Sequence, residues 1–157
     1  MFNVVLVQPE IPPNTGNVAR SAFATDAALH LVEPIGFLLD DYHLRRAGLD
    51  YWEDIRVIVW KSLDELLTPI TAERVHLFST RGLVRYDRAA YRPGDWLIFG
   101  SESRGLSPDL LDRYRDRTRY IPMTNLAVRS LNLASAVAVV LFEALRQNDF
   151  GFGRGTA

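Results

Sequence analysis

The sequence predicts an α/β fold with a mainly parallel sheet and helices on both of its faces. Short apolar runs rich in β-branched residues alternate with helical segments along nearly the whole chain. Its 157 residues are 48% hydrophobic and 24% charged, which is typical of a globular protein. Because no internal repeat or linker divides it, we predict one domain over residues 1–150 and a flexible, glycine-rich tail over residues 151–157.

The first half of the chain begins with a strand and a helix. The run Asn3–Val7 is predicted as a buried strand because it is short and β-branched and is soon followed by proline. Asn14 is a good amino-terminal cap for a helix predicted over Thr15–Ala28. The next predicted elements are a strand over Leu29–Val32, a short helix over Asp40–Ala47 and a strand over Val57–Trp60.

The second half continues this alternation. Ser62 is expected to cap a helix over Leu63–Leu67. The longest predicted helix, Leu131–Gln147, is apolar on more than one face, as expected if the sheet covers one side and a second subunit another. Between these helices we predict strands over Val75–Ser79 and Trp96–Phe99, a short helix over Pro108–Tyr114 and a strand over Arg119–Ile121.

Three turns lie near predicted strand ends, where open α/β sheets bind ligands. In the first, Asn14-Thr15-Gly16-Asn17, the glycine permits a close backbone approach, and Arg20 lies one helical turn after Asn17. A helix cap followed by a surface arginine explains this spacing equally simply. From spacing alone, that structural interpretation is favoured.

The second turn is the segment FGSESRGL, residues 99–106, in which two glycines flank a Ser-Glu-Ser-Arg core. Such a loop can surround a ligand with backbone groups while Glu102 accepts and Arg104 donates hydrogen bonds. A charged surface turn is the alternative, and we favour the ligand-binding loop. The third turn runs from Ile121-Pro122-Met123 to the start of the last helix, where Ser130 or Asn132 can serve as the cap.

Composition excludes several classes of protein. There is no cysteine, and the three histidines, His30, His43 and His76, are far apart, so we expect no metal site. The amino terminus lacks the pattern of a signal peptide, and the longest apolar stretch is too short to cross a bilayer. We therefore expect a cytoplasmic protein with no membrane partner.

The basic residues are unusual in kind rather than in number. The net charge is −1, yet all but one of the 18 basic residues are arginine, Lys61 being the exception. Arginine suits phosphate binding, but genome base composition alone can also replace lysine by arginine, so both explanations stay open for any cluster. The clusters are Arg45–Arg46, then Arg81, Arg85, Arg88 and Arg92, then Arg113, Arg115, Arg117 and Arg119.

Taken together, these blocks resemble the SPOUT superfamily of methyltransferases and, within it, the single-domain tRNA (cytidine/uridine-34)-2′-O-methyltransferases. The resemblance covers essentially residues 1–148, and six ordered blocks are more specific than any one glycine loop. The blocks are VQPEIPPNTGNVAR, LVEPIGF, LRRAGLDYW, FGSESRGL, IPM and SLNLASAVAV.

The resemblance implies both a fold and a reaction. The carboxy-terminal chain would form a trefoil knot, which is an exception to the rule against threaded connections. The reaction would be 2′-O-methylation of the wobble nucleotide 34, cytidine or uridine, in the anticodon stem-loop of tRNA. S-adenosylmethionine would be the methyl donor and S-adenosylhomocysteine the product. The protein would be a homodimer in which the last helix and the first motif pack across the interface.

The resemblance also implies roles for particular residues. Arg20 would engage the target hydroxyl, with Asn17, Glu102 and Asn132 around it, and one site could draw Arg20 from the other subunit of the dimer. The cofactor would be bound by Phe78, Ser79, Thr80, Gly100, Ser101, Glu102, Ile121, Met123, Ser130 and Leu131.

Two other functions stay open at this point. The first is the same chemistry on another RNA, such as ribosomal RNA. The second is a non-catalytic knotted protein that binds RNA or assists ribosome assembly, although intact Arg20, Glu102, Ser130 and Asn132 argue against a degenerate site. A Rossmann-type nucleotide enzyme is a more distant third, because its glycine fingerprint is missing after the first strand.

Overall fold

The computed structural model describes residues 1–37, 55–125 and 127–151. Within these residues the strands are β1 (Asn3–Val7), β2 (Ala28–Val32), β3 (Val57–Trp60), β4 (Val75–Phe78), β5 (Val84–Arg85), β6 (Trp96–Phe99) and β7 (Thr118–Tyr120). The α-helices are α1 (Pro12–Ala24), α2 (Leu63–Leu67), α3 (Pro108–Arg113) and α4 (Leu133–Arg146). Short 3₁₀ turns occupy Ala72–Arg74, Tyr86–Arg88 and Arg115–Arg117.

These strands form one sheet in the order β3-β2-β1-β6-β4-β7-β5, and every neighbouring pair is parallel. Alternate side chains of a strand point to opposite faces, so Val4 and Leu6 pack in one core and Val5 in another. Helices α1 and α4 cover the first face, and α2 and α3 contribute to the second. The predicted parallel sheet with helices on both faces is confirmed.

Helix α1 differs from the prediction at both of its ends. The helix begins at Pro12, so Asn14 lies inside it and the predicted cap is wrong. Proline has no N–H to satisfy and a fixed φ suited to the first helical turn, which allows this early start. The helix ends at Ala24 rather than residue 28, because Asp26 adopts a positive φ of 52° and Ala28 already belongs to β2.

Helix α4 starts two residues later than predicted because Asn132 caps it. The Oδ1 of Asn132 accepts hydrogen bonds from the backbone N–H of Ala134 (2.9 Å) and Ser135 (3.4 Å). Of the two candidate caps, Asn132 is therefore the one used.

Strand β7 begins and ends one residue earlier than predicted. The strand β5 was missed, because two residues are too few to show a periodic pattern.

Two predictions concern segments that the structure does not describe. The short helix expected over Asp40–Ala47 and most of the tail lie outside the described residues. Across the described ranges, no helix has the length and apolar character needed to cross a membrane.

His30 is a buried histidine that is held in its neutral form. It lies in β2 with its ring centroid 4.7 Å from that of Trp96. Its Nδ1 accepts a hydrogen bond from the indole N–H of Trp60 (3.0 Å), and its Nε2 lies 3.3 Å from Oδ1 of Asn3. Because an indole can only donate, Nδ1 carries no proton. Burial, with a smaller effect of Arg56, lowers the pKa of His30 to about 4.

This lowered pKa predicts a loss of stability in mild acid. An unfolded histidine with a pKa of about 6.5 takes up a proton that folded His30 does not bind until about pH 4. The unfolded state therefore binds more protons in this window, and the free energy of unfolding should fall by about 2 kcal/mol between about pH 7.5 and pH 5. Urea unfolding at several pH values measures this, with His30→Gln as the control that should show a smaller fall. Equal pH dependence of the two proteins would contradict the assignment.

Candidate cofactor cleft and active site

A cleft of about 940 Å³ opens where β4, β6 and β7 end. Phe78 ends β4 and Phe99 ends β6, and their stacked rings lie 4.7 Å apart in the wall of the cleft. This is the edge at which parallel sheets bind ligands, and the volume suits a ligand of nucleoside size. All the residues predicted to bind the cofactor line it: Phe78, Ser79, Thr80, Gly100, Ser101, Glu102, Ile121, Met123, Ser130 and Leu131. Their contact with a cofactor stays a prediction.

The loop after β6 folds back tightly on itself. Ser101 and Gly105 form an antiparallel bridge, in which the N–H of Gly105 donates to the carbonyl of Ser101 (2.9 Å). A side chain at Gly100 would overlap the backbone of Gly105 and Leu106. A glycine at this position is therefore required by the path of the loop backbone itself. Gly105 has a positive φ of 68° and open space around it.

Glu102 joins this loop to the start of α1. Its carboxylate accepts hydrogen bonds from the backbone N–H of Glu10 (2.8 Å) and of Ile11 (3.2 Å), and from Nδ2 of Asn14 (2.9 Å). A carboxylate at a helix amino terminus satisfies backbone donors there and is favoured by the helix dipole. The geometry therefore gives Glu102 a positioning role, and the predicted catalytic role stays a prediction.

The same network reaches α4 through two asparagines. Nδ2 of Asn132 donates to Oδ1 of Asn14 (2.8 Å), while the Oδ1 of Asn132 caps α4. Hydrogen bonds thus run from Glu102 in the loop after β6, through Asn14 of α1, to Asn132 at the start of the last helix. Asn14 was missed as a member of this site because it was interpreted as a cap.

A second glutamate makes the reverse contact. The carboxylate of Glu10 accepts hydrogen bonds from the backbone N–H of Ser103 (3.0 Å) and from its hydroxyl (2.6 Å). Each glutamate therefore binds the segment that carries the other one, so that Glu10 and Glu102 hold the 8–11 and 101–104 segments together. This pair lies 92 residues apart in sequence, and no local pattern pointed to it.

Arg20 and Asn17 do not join the cleft of their own chain. Both are exposed on α1, and neither is among the residues that line the cleft. The structure thus brings Glu102 and Asn132 of the predicted catalytic set together, and leaves Asn17 and Arg20 on a different surface.

Glu102→Gln should weaken the connection between the loop and α1. A glutamine amide nitrogen cannot accept from the backbone N–H of Glu10 or Ile11, so one donor loses its partner, at a cost of about 1–3 kcal/mol. Urea unfolding and calorimetric titration with S-adenosylmethionine should show lower stability and weaker cofactor binding. Glu73→Gln, at an exposed position away from the cleft, is the control. Unchanged values for Glu102→Gln would show that the network does not hold the loop.

The fold and the cleft define an α/β protein in which loops at the carboxyl ends of parallel strands form a cleft of ligand size. Residues 1–142 match the SpoU rRNA Methylase family, and the chain belongs to that family. Methyltransferases of this family depend on S-adenosylmethionine. The resemblance found in the sequence blocks is confirmed.

Individual relatives agree with this membership. A tRNA (cytidine(34)-2′-O)-methyltransferase of Burkholderia pseudomallei (strain 1106a) is 51% identical over 156 residues, which are 98% of this chain and 99% of the relative. A solved structure concerned with the 2-OH methylation of C/U34 on tRNA has a TM-score of 0.88 and 48% identity, covering 95% of this chain and 97% of the other. The SpoU methyltransferase AviRb of Streptomyces viridochromogenes, solved in complex with AdoMet, has a TM-score of 0.79 and 26% identity, covering 97% of this chain and 58% of AviRb.

Proposed function

We propose that this protein transfers a methyl group from S-adenosylmethionine to the ribose 2′-hydroxyl of the wobble nucleotide, cytidine or uridine 34, in the anticodon stem-loop of tRNA. The observation that carries the proposal is the 51% identity, over nearly the full length of both chains, to an enzyme named for this reaction. The convergence of the three motif loops on one cleft supports it. The reaction would take place in the cytoplasm, where tRNA is found.

The residues of the cleft fit the cofactor. Phe78, Phe99 and Leu131 provide apolar surface for a nucleoside, and the tight loop from Gly100 to Gly105 presents backbone groups. These features match the usual composition of a ligand pocket, which is mainly apolar with a few placed polar groups. When bound, the cofactor supplies an activated methyl group, and the loops of this chain orient it and exclude water.

We propose that the last third of the chain forms a trefoil knot. After β7 the chain returns across the ends of β4 and β6 to α1, where Asn132 contacts Asn14 and α4 packs beside α1. The return brings it past the loop that follows β6, and Met123, Ser130 and Leu131 line the cleft together with that loop. This path is the support for a threaded connection.

We further propose a homodimer that forms through α1 and α4. Large apolar side chains are exposed on these two adjacent helices and just beyond α4, namely Phe23 (44%), Val139 (37%), Phe142 (48%) and Phe150 (52%). Such a patch on neighbouring elements is typical of a protein interface. Because Arg20 is exposed on α1 and outside the cleft of its own chain, the partner's α1 is the natural source of this arginine.

In this arrangement Arg20 orients the substrate. A ribose hydroxyl is a poor acid, and arginine stays protonated in proteins, so its guanidinium serves to hold the ribose and its phosphate rather than to take the proton. Holding a hydroxyl in line with the methyl group supplies on the order of 7–11 kcal/mol in favourable cases. The network around Glu102 and Asn132 keeps the cofactor loops in the matching position.

Ribosomal RNA is the second candidate substrate. The family whose model matches residues 1–142 is named for rRNA methylation, so the same chemistry on rRNA is the specific alternative. The relatives that match nearly the full length favour tRNA.

A single-atom change in the substrate tests the proposal. We expect methyl transfer to a tRNA transcript that carries a 2′-hydroxyl at nucleotide 34, and none to the same transcript with 2′-deoxyribose at that nucleotide. Filter-bound radioactivity from labelled S-adenosylmethionine measures both. Equal transfer to the two transcripts would exclude nucleotide 34 as the target, and transfer to rRNA fragments alone would favour the second candidate.

A further inference from the structure

Several arginines of the sequence clusters are committed to contacts within the protein. Arg85 forms an ion pair with Asp87, with Nε 2.6 Å from Oδ1. Arg117 donates to backbone carbonyl groups. Arg119 is only 5% exposed and donates to carbonyl groups of its own strand and the preceding turn. Proximity in sequence therefore does not identify the arginines available to an RNA.

Three other arginines line the cleft from separate loops. Arg81 follows β4, Arg104 follows β6 and Arg129 precedes α4, yet all three line the cleft and are exposed. Among the described residues, none of the three is paired with a carboxylate. Glu102 is the only acidic residue in the described lining, and its carboxylate is bound at the start of α1. The described residues that line the cleft therefore carry a net positive charge.

The backbone is fixed beside each of these arginines. The N–H of Arg81 donates to Oγ of Ser79 (3.2 Å), and the N–H of Arg104 lies 3.4 Å from Oγ of Ser101. Arg129 follows a turn closed by a hydrogen bond between residues 125 and 128 (3.2 Å). Each of these arginines therefore lies in or directly after a hydrogen-bonded turn.

We propose that Arg81, Arg104 and Arg129 together bind the phosphodiester backbone of the RNA on either side of the nucleotide that enters the cleft. Guanidinium groups match phosphate oxygens with two parallel hydrogen bonds. Three such groups around one opening suit successive phosphates better than the single carboxylate of the cofactor. The inference rests on the proposed function, and it assigns the RNA contact to residues from three separate loops.

The test compares two triple variants with the same change of charge. The first is Arg81→Gln, Arg104→Gln and Arg129→Gln. The control is Arg88→Gln, Arg92→Gln and Arg115→Gln, which removes exposed arginines that belong to the sequence clusters but do not line the cleft. Fluorescence anisotropy gives the Kd for tRNA at several salt concentrations, calorimetry gives the affinity for S-adenosylmethionine, and circular dichroism confirms folding.

For the cleft variant we expect the slope of log Kd against log salt to fall by about 2, because each phosphate of a single strand that an arginine neutralises adds roughly 0.7 to the slope. Its affinity for S-adenosylmethionine should be unchanged, and the control should keep most of the wild-type slope. A normal slope for the cleft variant with a reduced slope for the control would overturn the inference. Weaker cofactor binding with unchanged tRNA affinity would also overturn it.

The proposed function and this inference can fail separately. If the wild-type protein methylates no tRNA, the proposed function fails. If the wild-type protein methylates tRNA and the cleft variant binds tRNA normally, only this inference fails.

Discussion

Arg20→Ala should lower methyl transfer at least about 100-fold, because a misplacement of about 1 Å between reacting groups can cost about 100-fold in rate. The reason is geometric, because Arg20 is proposed to hold the target ribose in line with the methyl group, whereas Arg81, Arg104 and Arg129 are proposed to bind the RNA backbone. Cofactor affinity should be unchanged, since Arg20 does not line the cleft that the cofactor would occupy. Single-turnover kinetics and calorimetry measure the two quantities. The control is Arg88→Ala, which removes another exposed arginine and should stay near wild-type activity.

A mixed dimer shows which chain supplies Arg20. Thr80 is exposed and lines the cleft, so Thr80→Trp should fill the cleft without disturbing the core. Arg20→Ala and Thr80→Trp should each be inactive as homodimers. If Arg20 acts across the interface, a mixed dimer contains one complete site and regains activity. No recovery in verified mixed dimers would place Arg20 in the site of its own chain, and near-normal turnover of Arg20→Ala would remove it from the mechanism.

Gly100→Val should have the second large effect, a loss of affinity for S-adenosylmethionine of about 100-fold, because returning the displaced loop to its binding position would cost about 3 kcal/mol. The new side chain would overlap the backbone of Gly105 and Leu106, so the loop must move rather than adjust a side chain. We also expect about 1–3 kcal/mol lower stability, as for other overpacked sites. Calorimetric titration and urea unfolding measure both effects.

Gly105→Ala is the matched control for this change. A methyl group at Gly105 meets open space, and its positive φ of 68° costs only about 1–2 kcal/mol. Cofactor binding by Gly105→Ala should therefore remain close to that of the wild type. A folded Gly100→Val protein that binds S-adenosylmethionine normally would show that the cofactor lies elsewhere.

Local patterns predicted most of the fold. Strands such as Asn3–Val7 were evident because a short, β-branched run is buried on both faces of a parallel sheet. Helix ends were less predictable, because a side chain that could cap a helix can form other hydrogen bonds instead. Asn14 was predicted to cap α1, but its side-chain amide forms hydrogen bonds with Glu102 and Asn132 instead.

The candidate site could be predicted in its parts but not in its connections. Glycine spacing identified the loop from residue 99 to 106, because a tight turn needs glycine for reasons internal to the loop. The paired contacts of Glu10 and Glu102 join segments about 90 residues apart, and such contacts leave no local pattern. The position of Arg20 outside the cleft depends on the rotation of α1 about its axis, which is set by the packing of Val18, Ala19 and Ala22 in the core.

The most direct test of the proposed function is incubation of the protein with labelled S-adenosylmethionine and total tRNA, followed by nucleoside mapping. The proposal predicts label on the ribose 2′-oxygen of nucleotide 34, in tRNAs with cytidine or uridine at that position, and its loss in Arg20→Ala. Label on a base, label at another nucleotide, or no label with active cofactor and intact tRNA would contradict it.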